Sequence, residues 1–256
     1  MMEAVILGCG TSHGVPMVAC DCPVCTSDDP RNHRTRCSVA ILGEKSTLLV
    51  DAPPELRLQL VRERIRRVDA VLITHSHADH IMGLDDVRRF NELTGAPMPL
   101  YGQSRALQDV RRVFQYAFEP PTQESGGLPS YELREAGAQV EVGDVRAELF
   151  EVLHGKLPVL ALRVGDFAYL TDVSEIGEPA WERLRGLGTL VMDATRRAPH
   201  PSHFHLEKAV EVAKALGARE TYFTHLSHDY DYEATCAELP GGIDLAYDGL
   251  KVPIQP

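Results

Sequence analysis

Thr74-His75-Ser76-His77-Ala78-Asp79-His80 sets three imidazoles and a carboxylate within six positions, directly after the apolar run Ala70-Val71-Leu72-Ile73. The run reads as a buried strand, so its end delivers four metal-ligating side chains to one edge of a sheet. Neutral imidazole and carboxylate suit Zn, Mn or Fe, and a mixed N/O set allows more than one ion. A His-rich surface turn is the bland alternative, but these histidines are spaced and an Asp fills a ligand slot. Cys20-Asp21-Cys22-Pro23-Val24-Cys25 is a second cluster. Its three thiols can converge on one tetrahedral Zn with a fourth ligand from elsewhere, or remain reduced and uncoordinated. Arg196 and Arg197 can grip a terminal phosphate through paired guanidinium contacts, or stand as solvated charges. His13 and His33 read as structural or exposed.

These residues need a sheet to hold them. Strands are predicted at Glu3–Gly8, Ser38–Leu42, Thr47–Asp51 and Val68–Thr74, then across about Val140–Leu170. Thr189–Asp193, Thr221–Thr224 and Asp244–Tyr247 complete the sheet. Helical patterns cover Glu55–Arg66 and roughly Leu84–Leu93, the latter ended by Gly95 and Pro97. Ser104–Phe118 reads as a helix with Ser104 as N-cap. Pro179–Leu187 carries Pro in its first turn, and Leu206–Leu216 stops at Gly217. Glu119–Pro129 is rich in Pro, Gly and Ser and reads as loop. Two similar halves fit two sheets face to face with helices outside.

Composition agrees with one α/β domain over residues 1–256, of which 44% are hydrophobic. No apolar run is long enough to span a membrane, and the acidic start of the chain lacks the basic region of a signal peptide. A cytoplasmic location is expected, where disulfides are disfavoured. The net charge of −11 argues against broad binding to nucleic acid or anionic membranes.

His75-x-His77-x-Asp79-His80 resembles the signature of the metallo-β-lactamase superfamily. In that family the two leading histidines ligate one metal, the Asp-His pair a second, and further ligands stand at later strand ends. His154 after Ala147–Val152, Asp172 after Phe167–Thr171, and His225 after Thr221–Thr224 arrive in that order. The resemblance implies His75, His77 and His154 on one ion, Asp79, His80 and His225 on the other, and Asp172 between them. Leu48-Leu49-Val50-Asp51 resembles the family's first motif, whose Asp braces the His loop. The implied fold is a four-layer αββα sandwich with two mixed sheets and outer helices.

Gly8-Cys9-Gly10-Thr11-Ser12-His13-Gly14-Val15-Pro16, followed by the cysteines, resembles the start of the PhnP-type phosphodiesterases of phosphonate catabolism. In that branch an N-terminal insert, here at about residues 9–37, carries a structural Zn on three Cys and one His. The match implies Cys20, Cys22, Cys25 and His228. The stretch Asp193–Leu206 resembles the one that bears a non-ligand His as general acid. Matching the helix start at Leu206 places that role on His203, with His200 and His205 close enough to displace it. Ser202 or His203 could instead cap the helix. His200, Arg196 and Arg197 would bind substrate.

The implied activity is metal-dependent hydrolysis of a small cyclic phosphodiester, such as 5-phosphoribosyl 1,2-cyclic phosphate. Two divalent ions, Mn or Zn, would share Asp172, Asp79 would serve one of them, and a structural Zn would hold the insert. The implied partner is a small phosphorylated substrate, with no nucleic-acid polymer and no membrane; a homodimer is compatible with it. Thioester or lactone hydrolysis would use the same metals without needing the cysteine set. Transfer-RNA 3′-end processing would call for a basic insertion, and none is visible. A non-catalytic accessory role in cofactor biosynthesis would be favoured by loss of a ligand, and none is lost.

Overall fold

The computed structural model describes residues 2–119 and 127–255. Apolar runs form the strands of a first sheet: β1 (Met2–Gly8), β2 (Ser38–Leu42), β3 (Thr47–Val50) and β4 (Ala70–Ile73). Helix α1 (Leu56–Arg62) lies between β3 and β4, and α2 (Ala78–Ile81) follows β4. A 3-10 turn, Leu84–Val87, leads into α3 (Arg88–Thr94). Then come β5 (Met98–Gly102), α4 (Ser104–Val113) and β6 (Tyr131–Glu135).

The second half runs β7 (Gln139–Val142), β8 (Val145–His154), β9 (Leu157–Val164), β10 (Phe167–Leu170) and α5 (Glu178–Arg183). It continues with β11 (Thr189–Asp193), α6 (Leu206–Leu216), β12 (Glu220–Thr224), α7 (Tyr232–Glu238) and β13 (Ile243–Leu245). The final strand β14 (Lys251–Ile254) returns to pair antiparallel with β1.

Two mixed seven-stranded sheets result, ordered β14-β1-β2-β3-β4-β5-β6 and β13-β12-β11-β10-β9-β8-β7. One buried cluster fills the space between them, with Ile6, Leu48, Leu72, Leu162, Tyr169 and Met192 among its members. A second cluster packs α1, α3 and α4 on the outer face of the first sheet through Leu56, Phe90 and Val110. This is the expected four-layer sandwich. Burial on both faces explains why β3, β4, β10 and β11 read as continuous apolar runs instead of alternating ones. No helix among the described residues is long and apolar enough to cross a membrane.

Several boundaries differ from the sequence reading. Helix α1 ends at Arg62, short of Arg66, because Arg64 turns left-handed (φ 56) and Ile65 N–H closes on Leu60 O at 2.9 Å. Ser104 does not cap α4: Gln103 occupies the cap without a side-chain hydrogen bond, and the helix yields after Val113 to the 3-10 turn Gln115–Ala117. Strand β13 spans Ile243–Leu245 and is not the last. Of the expected loop Glu119–Pro129, residues 120–126 lie outside the described residues.

The long connection between β1 and β2 is folded back onto the second half. Gly10 bridges to Arg36 and to Leu226, and a Cβ at Gly10 would stand 2.6 Å from Arg34 O, so this close approach requires glycine. Arg34, 1% exposed, donates to Ser227 O (3.0 Å) and Tyr230 O (2.7 Å). A fully buried guanidinium bonded to carbonyls is a strong geometric pin, and it docks this connection beside the loop after β12.

Candidate metal centre and active site

Strand ends of both sheets meet at one edge of the sandwich. Asp51 follows β3, the His-rich loop follows β4, His154 ends β8, Asp172 follows β10, Asp193 ends β11 and His225 follows β12. Asp51, Asp172 and His225 all adopt left-handed backbone, with φ of 60, 55 and 57. Such conformations cost a non-glycine residue on the order of 1 kcal/mol or more and concentrate at functional sites. Here they swing three side chains off their strands into a common centre.

Two ligand groups form, each with its donor atoms within 4.8 Å of one another: His75, His77, His154 and Asp172, and Asp79, His80, His225 and Asp172. Asp172 belongs to both. Its Oδ2 lies 3.5 Å from His75 Nε2 and 4.0 Å from His154 Nε2, whereas Oδ1 lies 3.4 Å from His80 Nε2 and 3.3 Å from His225 Nε2. The carboxylate thus faces one group with each oxygen. Asp79 Oδ2 stands 3.5 Å from His80 Nε2 and 3.7 Å from His225 Nε2.

The far nitrogens of these rings are held from outside. His80 Nδ1 meets Asp51 Oδ2 at 2.7 Å, His154 Nδ1 donates to Ser202 O at 2.7 Å, and His225 Nδ1 meets Thr195 Oγ1 at 3.1 Å. Asp51 also accepts from Thr74 N–H and Thr74 Oγ1. Its bracing role is the one the first motif implied. Fixing the outer nitrogen sets the tautomer and aims Nε2 inward. His80 Nε2 and His225 Nε2 are buried without any hydrogen-bond partner. An orphaned buried acceptor is costly unless something takes its lone pair, so these residues fit cation binding.

Charge tells the same story. Burial opposes the protonated His225 ring, but Asp172, Asp79 and Asp193 outweigh it and push it up to about 9. Burial likewise opposes the charged form of His80, and Asp172 and Asp51 again win, raising it well above the usual range. Asp172 is buried, yet His225 and His80 hold it well below the carboxylate range. The carboxylates therefore draw positive charge into the centre, which divalent ions would supply while displacing protons.

The cysteines converge as a separate group. Cys20, Cys22 and Cys25 Sγ lie 3.2, 3.5 and 3.6 Å from His228 Nδ1. Tetrahedral Zn with its usual bond lengths sets S···N at about 3.5 Å, so the four donors fit. Cys25 N–H points at Cys22 Sγ (3.4 Å) and Met17 N–H at Cys25 Sγ (3.3 Å). The first of these bonds is the main cause bringing the Cys22 thiol down to about 6. Cys22→Ser should remove one Zn per chain by elemental analysis and lower Tm by about 5 °C or more, with the His/Asp groups intact. Fast reaction of Cys20, Cys22 and Cys25 with a thiol reagent in untreated protein would contradict this.

A cavity of about 350 Å³ reaches the centre at His225, with His203, His200, Arg196 and Thr195 also in its lining. His203 Nδ1 meets Asp193 Oδ2 at 2.6 Å and its ring stacks on His225, centroids 4.7 Å apart. His200 lies beside it with Ser202 N–H and Oγ at its Nδ1, both 3.2 Å away. His205 is elsewhere: it occupies the N-cap of α6, without a side-chain cap bond. Neither Ser202 nor His203 caps that helix.

Arg196 lines the cavity, with Nε and Nη2 donating to Ala198 O and Pro199 O. Arg197, expected beside it at the substrate, points the other way. Its guanidinium is committed to Glu238 (2.8 Å), Thr235 and Asp229 O on the α7 side.

Ser12, His13, Gly14 and Met17, together with Ser227 and His228, also line the cavity. His13 is exposed, as expected, yet it faces the site. His33, bonded to Ser27 O at 2.8 Å, does not line the cavity. Asp193 and Thr195 were also missed. Asp193 accepts from Thr195 Oγ1 and Val173 N–H besides meeting His203, and its signal was there: it is another acid at a strand end.

Residues 46–226 match the beta-lactamase superfamily domain. The fold superposes on the crystal structure of a new diphosphatase from the PhnP family with TM-score 0.92 and 40% identity, covering 100% of this chain and 98% of that one. Zn(2+)-bound PqqB from Methylobacterium extorquens gives TM-score 0.76 at 21% identity over 98% and 100%, a likeness of fold alone. An octanoyltransferase of Porphyromonas gingivalis is 35% identical over 259 residues, 99% of this chain and 52% of that protein. Coenzyme PQQ synthesis protein B of Methylobacterium radiotolerans is 36% identical over 134 residues, 46% of this chain and 43% of that one. The chain spans about half the length of the curated relatives it matches. The fold, the ligand-rich strand ends and the full-length match at 40% identity together make this chain a member of the metallo-β-lactamase superfamily, in its PhnP family.

Proposed function

We propose that this chain is a metal-dependent phosphodiesterase acting on a small phosphodiester, cyclic or bridged to a second phosphoryl group. The observation that carries this reading is Asp172 facing two ligand groups with its two oxygens, while His203 stands beside them on a buried carboxylate. His75, His77 and His154 would hold one ion and Asp79, His80 and His225 the other, with Asp172 shared. When bound, such a pair would supply a water ionised near neutral pH and positive charge to offset the phosphoryl oxygens.

The chain's own residues do the rest. Asp193 takes the Nδ1–H of His203, which leaves Nε2 as the nitrogen available to the cavity. When the P–O bond to the leaving group breaks, the departing oxygen takes the proton held at that Nε2, a contribution of about 10²–10⁴-fold. Arg196 and His200 lie where a substrate's remaining anionic oxygens would rest. The cavity of about 350 Å³ suits a sugar phosphate or a comparable small molecule, and the −11 net charge disfavours a polynucleotide.

The name diphosphatase borne by the 40% identical structure supports phosphorus chemistry and favours including P–O–P links. Octanoyl transfer finds less support, because this chain spans only 52% of the octanoyltransferase it resembles. A panel assayed with Mn- or Zn-loaded protein decides: cyclic phosphates, bis(p-nitrophenyl) phosphate, diphosphate diesters, monoesters, thioesters and lactones. Phosphodiesters should exceed thioesters and lactones in kcat/KM by on the order of 10²-fold or more. The reverse order would overturn the proposal.

A further inference from the structure

The outer helices of the first sheet leave a groove of about 540 Å³ between α1 and α3. Its floor is apolar, built from Leu60, Ile65 and Phe90, and its lips carry Val61 and Leu93, which are 68% and 58% exposed. Arg57, Arg64, Arg66 and Arg89 surround it, and Asp86 is the sole carboxylate of its described lining. This concentration of arginine occurs in a chain with 26 basic against 37 acidic residues. Arg89 pairs with Glu92 at 2.8 Å, whereas Arg57, Arg64 and Arg66 make no ion pair among the described residues.

Arg64 adds an independent pointer. It stands two residues beyond α1 with φ 56, where helices commonly end on glycine because a Cβ is unfavourable there. An arginine at that position is poor for the turn, and it stands in the lining of the groove.

We propose that this groove docks an amphipathic helix of a partner protein, apolar on the buried face and acidic on its flanks. Charge complementarity fixes the sign, since unpaired guanidiniums bind carboxylates well. The shape fixes the mode: a concave slot between two helices offers no strand edge for β-addition and takes a helix through i, i+3, i+4 and i+7 anchors. The acidic remainder of the chain repels anionic membranes and nucleic acid at longer range.

The test uses a fluorescent synthetic peptide of about 18 residues, with Leu at those anchor positions and Glu on both flanks. Its comparison is a permuted peptide of the same composition. Anisotropy in about 0.15 M salt should show at least tenfold tighter binding of the amphipathic peptide to the full chain. Arg64→Gly combined with Arg66→Ser should weaken it about tenfold. Those changes should leave hydrolysis of bis(p-nitrophenyl) phosphate unaltered and Tm equal or higher. Leu93→Asp, at an exposed position, should give the same loss and serves if the arginine variant fails to fold. Equal affinity for the permuted peptide, or binding indifferent to these variants, overturns the proposal. So do two further results: binding to phosphatidylserine vesicles without peptide preference, and a chain dimer that the same variants dissociate.

Discussion

Asp172→Ala should all but abolish turnover, lowering kcat/KM by about 10³-fold or more. Loss of a residue that merely supports a ligand costs about 10–100-fold, and Asp172 is expected to exceed that because both ligand groups use it. It is 2% exposed, and a neutral water filling the space left by truncation would not replace its charge beside His80 and His225. Asp172→Asn is the sharper variant. Asparagine tolerates left-handed backbone and keeps the shape, so a comparable loss assigns the effect to the missing charge and not to the turn. Metal content measured beside kinetics on bis(p-nitrophenyl) phosphate checks this. Turnover near that of the parent protein in either variant would remove Asp172 from the centre.

His203→Ala should retain both active-site metals yet lower kcat by about 10²–10⁴-fold on a substrate with a poor alkoxide leaving group. With p-nitrophenolate, which departs without a proton, the loss should be much smaller. A residue that only positioned substrate would harm both substrates alike. His205→Ala should be nearly silent in this comparison, since His205 sits at the helix cap. His200→Ala should affect both substrates to a similar degree. A leaving-group-dependent defect in His200→Ala without one in His203→Ala would transfer the proton donor to His200.

The centre was legible in the sequence because buried strands write themselves as apolar runs, and ligands follow such runs directly. Ala70–Ile73 before His75 and Phe167–Leu170 before Asp172 are both buried throughout. Strands with a weaker signature were missed. β6, with the pattern Tyr-Glu-Leu-Arg-Glu, lies at a sheet edge and is mostly exposed, so little hydrophobic periodicity marks it. β5 alternates buried and half-buried residues and contains a proline. Helix α7 is short, although Asp231 caps it by accepting from Ala234 N–H, a usable start signal. Side-chain direction was the other gap: nothing in Arg196-Arg197 says which guanidinium meets the cavity. Nor did the spacing of Ser12 and His13 disclose that the N-terminal connection folds into the cavity wall. That placement depends on Arg34 and on contacts almost two hundred residues away.

The left-handed trio of Asp51, Asp172 and His225 carries a lesson for anyone engineering this protein. Each position would relax if glycine replaced the native residue, so a search for heat-resistant variants scored on melting of metal-free protein would be drawn to these sites. Every such gain would delete a brace or a ligand. Directed evolution of this scaffold should therefore hold the three positions constant and look for robustness in the outer helices, where Arg64, just beyond α1, is another left-handed residue and stands outside the ligand groups.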